Sequence, residues 1–95
     1  MKVPILQAEA LPDGGAVTLY DWMAEEVRDG RNLIRTDASG SEVWRAEPIF
    51  FGSDQEDCFT QFKLTGDSLI AWTWSCYRVS VDLAAGTVQT LEFTK

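Results

Sequence analysis

Residues 71–82 read AWTWSCYRVSVD, and the parity of their side chains decides how the rest of the chain is read. Trp72, Trp74 and Cys76 hold even positions, whereas Tyr77, Val79 and Val81 hold odd ones. Successive strand residues point to opposite faces, so a single strand through the stretch would send one apolar set into water. The stretch predicts two strands, with a turn or bulge near Ser75-Cys76.

Working outward, the same alternation recurs between clusters of turn residues. Val3 to Leu11 and Ala16 to Trp22 flank Pro12-Asp13-Gly14-Gly15, where proline presets one turn dihedral and glycine permits positive φ. Arg31 to Asp37 and Ser41 to Glu47 flank Asp37-Ala-Ser-Gly40, with Leu33, Val43 and Trp44 as inward candidates. Cys58 to Leu64 and Ser68 to Trp74 flank Thr65-Gly66-Asp67, and Tyr77 to Asp82 and Thr87 to Phe93 flank Leu83-Ala-Ala-Gly86. Met23 to Asp29 carries helix signals, with Asp21 as a cap and Gly30 as a stop, but is too short to stand alone and reads as a loop with one helical turn. Pro48 to Asp57 links the two halves. The expected fold is all-β: about eight antiparallel strands as two four-stranded meanders, halves about 3–47 and 58–93 of one domain, packed as a sandwich or flattened barrel.

A chain of 95 residues buries only about 60 to 65% of the surface its unfolded form exposes, so large apolar residues are needed inside. On that scarcity argument Trp44, Trp72 and Trp74 belong to the core, and Trp22, beside the inserted loop, is half exposed. Two cysteines, Cys58 and Cys76, are too few for a disulfide scaffold and read as buried free thiols, with a single bridge as the alternative. The opening MKVPILQAEALPDGG resembles neither a secretory leader nor a membrane span, and the expected address is the cytoplasm.

Fifteen acidic residues face eight basic ones, a net charge of -7. That field repels phosphate backbones and anionic lipid, which excludes direct nucleic-acid and membrane binding and favours a basic protein partner. The absence of histidine removes His-based triads, His-containing zinc sites and the commonest general base. No phosphate-binding loop, dinucleotide fingerprint or nucleophile elbow is present. Glu25-Glu26 and Glu56-Asp57 are adjacent pairs that diverge in an extended chain, unlike the facing carboxylates of a glycosidase. Ser53 to Asp57 lacks the spacing of a calcium loop, so neither a metal nor a cofactor is expected.

The halves also repeat. Gly14-Gly-Ala-Val-Thr-Leu-Tyr-Asp-Trp22 matches Gly66-Asp-Ser-Leu-Ile-Ala-Trp-Thr-Trp74 at an offset of 52, and Asp37-Ala-Ser-Gly40 matches Asp82-Leu-Ala-Ala-Gly86 at 45. With Glu42-Val-Trp-Arg45, Trp74-Ser-Cys-Tyr-Arg78 and the closing Phe93-Thr-Lys95, these stretches resemble a group of small uncharacterised bacterial all-β proteins. Each half also resembles a blade of the PQQ-type β-propeller, in which an aspartate and glycine turn precedes a Trp-bearing strand. The second half has Thr90 where the first has Trp44. The resemblance implies a fold and no chemistry.

Recognition then falls to the irregular segments on a rigid β scaffold. The candidate partner-binding residues are Trp22, Glu25, Glu26 and Asp29 in the first and Phe50, Phe51, Asp54, Glu56 and Asp57 in the second, apolar anchors with an electrostatic rim. The leading expectation is a noncatalytic, inhibitor-type protein engaging a basic partner, either immunity-protein-like or a nucleic-acid mimic. The alternatives are a homo-oligomer that completes a propeller and an enzyme using Cys58 or Cys76 as a thiolate activated by Arg78.

Overall fold

The computed structural model describes residues 3–49 and 57–93. Eight strands form where alternation meets turn chemistry: β1 Ile5–Ala10, β2 Ala16–Tyr20, β3 Leu33–Thr36, β4 Glu42–Arg45, β5 Phe59–Thr65, β6 Ser68–Thr73, β7 Tyr77–Val81 and β8 Val88–Phe93. They make two antiparallel four-stranded meanders, β1-β2-β3-β4 and β5-β6-β7-β8, packed as a sandwich of 35 × 28 × 19 Å. Among the described residues the helical content is one 3-10 turn, Glu25–Val27, anchored by the fully buried Val27.

The break expected at Ser75-Cys76 is present: the Cys76 N–H donates to the Thr73 carbonyl, and Cys76 takes a φ of 71°. Its consequence for the tryptophans is the reverse of the expectation. The register pairs Ala71 with Val79 and Leu69 with Val81. Cross-strand partners share a face, so the inward odd set of β7 carries the odd set of β6 inward with it. Leu69, Ala71 and Thr73 are buried, Trp72 is half-buried on the outer face, and Trp74, just beyond the strand, is 62% exposed. Trp72 and Trp74 are therefore not the core. Ala71 pairs across β6 with Phe62 as well as Val79, and the apolar volume comes from Phe59, Phe62 and the aliphatic residues around them.

Val43 is corrected by the same parity rule. Adjacent strand residues cannot both point inward, and it is Trp44 that does, at 7% exposure, while Val43 faces out. The Trp44 indole N–H donates to the Leu83 carbonyl at 2.8 Å, and the Arg35 guanidinium donates to the same oxygen while pairing with Asp13 at 2.9 Å. Gly86, at a φ of 79°, lies so close to this indole that a Cβ there would sit 2.6 Å from Trp44 Cγ. The first sheet is thereby pinned to the β7–β8 turn of the second.

Two side-chain amides pin the opposite margin. Gln7 donates to the Phe62 carbonyl at 2.6 Å and accepts from the Phe62 N–H at 3.1 Å. Asn32, fully buried, accepts from the Phe59 N–H at 2.9 Å and donates to the Phe59 and Tyr20 carbonyls at 2.8 Å each. Both amides satisfy backbone groups on the edge of β5 that β6 does not reach, so the sheets meet through a covered edge as well as through their faces.

All four outer strands are bulged, and the inner strands are not. Leu6 in β1, Val43 in β4, Thr60 in β5 and Leu91 in β8 are each an extra residue facing a continuous partner ladder. A bulge interrupts the edge and twists it away from a neighbour, a recognised way to keep sheets from joining edge to edge. Three of these bulge residues, Leu6, Val43 and Leu91, are exposed at 44 to 48%.

Candidate functional site: the aromatic end of the sandwich

Setting the bulge residues aside, the exposed large apolar side chains that remain among the described residues are Ile5, Met23, Trp74 and Phe93. All four belong to the end of the sandwich where β1 and β7 begin and β2, β6 and β8 finish. Ile5 pairs with Tyr20, and Phe93 pairs with Tyr77 with ring centroids 5.1 Å apart. Trp22, just past β2, meets Trp74, just past β6, at a centroid distance of 6.2 Å and an interplanar angle of 48°. These two indoles occupy the same position of the repeat, 52 residues apart, so the internal repetition brings like residues together across the two sheets.

The loops behind this pair are held firmly. The Asp21 carboxylate accepts from the Met23 N–H at 2.9 Å, and the Asp21 N–H donates to the Pro4 carbonyl at 2.8 Å. Gly30, at a φ of 87°, packs so tightly on the Asp57 carbonyl that a Cβ would sit 2.1 Å from that oxygen. The Asp57 carboxylate accepts from the Cys58 N–H at 3.0 Å, the Ser75 N–H at 3.1 Å and the Ser75 hydroxyl at 3.2 Å. The Trp74 N–H donates to the Cys58 carbonyl at 2.8 Å. Trp74 is thus an open side chain on a fixed backbone.

The expected binding residues are sorted accordingly. Trp22 is half-buried, as its place beside the loop implied. Glu25 and Glu26 are exposed on the 3-10 turn, and among the described residues neither carboxylate has a partner. Asp29 is engaged by Arg31 at 2.8 Å; burial works against its charge, but the Arg31 N–H and guanidinium outweigh that and hold its carboxyl below the usual range. Asp57 is buried, with its carboxylate accepting from Cys58 and Ser75 inside the fold. Phe50, Phe51, Asp54 and Glu56 lie outside the described residues. The structure therefore brings Trp22 and Trp74 together, with Met23 next in the chain and Glu25 and Glu26 exposed on the turn that follows.

A family model described as a domain of unknown function, DUF7957, matches residues 3–93. The chain belongs to this family. No curated protein and no solved structure matches it. The DUF7957 match spans both sheets and the connection between them, so the two meanders lie within one family unit.

Trp74 and Met23 are the residues that reading by bulk missed. The signal was present in the turn: a connection closing between Thr73 and Tyr77 puts Trp72 and Trp74 on the parity opposite to Val79 and Val81. Neither cysteine is in a disulfide, Cys58 is buried, and Arg78, the proposed activator of a thiolate, makes an ion pair with Glu92 at 2.7 Å, without the alignment of a hydrogen bond. Among the described residues no group of three or more metal-type side chains converges, and no helix is long and apolar enough to cross a membrane. A concavity of about 570 Å³ lies between the end of β4 and the β7–β8 turn, lined by Arg45, Glu47, Pro48, Ile49, Gly86 and Thr87 among others. Its one cation is committed to Glu42 at 2.9 Å.

Proposed function

We propose that this chain is a noncatalytic binding protein of inhibitor type that engages a basic protein partner through the aromatic end. The observation that carries the reading is Trp74: a large indole, 62% exposed, on a backbone fixed by Cys58 and Ser75, in a chain too short to spare apolar volume. Exposed aromatics on rigid scaffolds are the usual anchors of interfaces, and neighbouring carboxylates supply a rim. Glu25 and Glu26 are that rim, and the net charge of -7 supports a positively charged partner by steering.

Of the concrete versions, the immunity-protein-like one is better supported than the nucleic-acid mimic. A mimic needs carboxylates spaced like phosphates on one face, whereas here Asp13, Asp29, Glu42 and Glu92 are consumed in ion pairs spread over both ends and the outer strands. The blade-like character of the halves belongs to the same proposal as a scaffold, since bulges on every outer strand oppose completion of a propeller by edge pairing.

Affinity capture from the source cell, run in parallel with wild type, Trp74→Ala and Glu25→Gln/Glu26→Gln, tests the reading. The expected result is a basic protein retained by wild type and lost from both variants. Capture that is identical for all three would overturn it.

A further inference from the structure

Resting on the reading of the aromatic end as the contact surface, we infer that the group it takes from its partner is an arginine side chain, stacked on the open face of Trp74 with Glu25 or Glu26 as counter-charge. The ring is already positioned: Trp22 abuts it at 6.2 Å with a 48° tilt, an offset geometry favourable for aromatic pairs, and its exposed fraction remains 62%. An indole face is the most attractive aromatic surface for a cation. Of the two protein cations, guanidinium is planar, weakly hydrated and able to stack while its edge donates two parallel hydrogen bonds to a carboxylate.

Both carboxylates are exposed and, among the described residues, make no ion pair. Glu25 and Glu26 lie three and four residues beyond Trp22, so their backbones fall within about 15 Å of it even along a fully extended path. Among the described residues Asp29 is engaged by Arg31, Asp57 by Ser75 and Cys58, and Asp21 accepts from the Met23 N–H. Met23, 76% exposed and next to Trp22, offers an adaptable apolar contact for the aliphatic stem of such a side chain. A second copy of this chain is disfavoured as the occupant, because it would bring a like net charge of -7 against this end.

The test titrates two capped hexapeptides, alternating Arg-Gly and alternating Lys-Gly, into the intact protein while the Trp74 indole N–H resonance is followed. The expected result is a shift of that resonance by the arginine peptide at about five-fold or more tighter affinity than by the lysine peptide. Binding should be lost in Trp74→Ala, partly kept in Trp74→Phe, and weakened in Glu25→Gln/Glu26→Gln. Equal affinity for the two peptides, with both lost in Trp74→Ala, would overturn the arginine inference and leave the basic-partner reading standing. Binding indifferent to Trp74→Ala would overturn it as plain charge attraction. A shift that tracks protein concentration without peptide, or one produced by a neutral disaccharide, would overturn it by assigning the face to a second copy or to a sugar.

Discussion

At one end of the sandwich the turns at 12–15, 37–40 and 82–86 are built from small residues whose carboxylates are used internally; at the other, Trp22, Met23, Trp74 and Phe93 stand partly or largely open. Asp13 accepts from the Gly15 N–H at 2.8 Å, Asp37 from the Ser39 and Ser41 N–H groups at 2.9 and 3.0 Å, and Asp82 from the Ala84 and Ala85 N–H groups at 2.9 and 3.1 Å. Such Asx-type bonds close a turn locally and engage these three carboxylates within the fold. The comparison teaches that acidity by itself does not locate a contact surface. The surface proposed above rests instead on groups the fold leaves open, the Trp74 indole with Glu25 and Glu26 among them.

The two ends can be separated by mutation. Trp44→Ala should cost the most, about 3 to 5 kcal/mol, because it empties a buried volume and strips the Leu83 carbonyl of a donor; chemical denaturation measures it. Asn32→Ala should follow at about 3 kcal/mol, since it leaves the Phe59 N–H and two carbonyls without their partner in a site closed to water. At the aromatic end Trp74→Ala should cost less than about 1 kcal/mol while abolishing capture, so a melting curve and a binding assay on one variant should diverge.

The smallest effect concerns acid. Hydrogen bonds from the Ser39 hydroxyl and the Ser41 N–H hold the Asp37 carboxyl below the usual range, and the Gly15 N–H and Arg35 do the same for Asp13. Because both are lowered on folding, their contribution is present above about pH 4 and is lost as pH falls through the lowered values. Asp37→Asn should therefore destabilise at pH 7 and have less effect at pH 3, compared by denaturant midpoint.

The strand pattern was legible because turn chemistry brackets every strand: the four hairpin turns and the 74–76 break all fall where glycine, aspartate and the change of parity put them. The facing of β6 was read wrongly because bulk was taken as the guide to burial. Ala71 and Thr73 are small, yet they face inward, since a strand's inward face follows from the partner it pairs with across the turn. Edge bulges leave no sequence mark that Leu6, Val43 or Leu91 could have shown in isolation. Asp57 looked like one acid of a charged run, and only its position against Ser75, eighteen residues away, makes it structural.

The central claim, that Trp44 fastens the sandwich while Trp74 is left for a partner, is tested most directly by hydrogen exchange at the indole N–H groups. The account predicts that Trp44, donating to Leu83 from the core, exchanges only on opening of the fold, and that Trp74 exchanges at nearly the rate of a free indole. Protection of Trp74 with rapid exchange at Trp44 would contradict it.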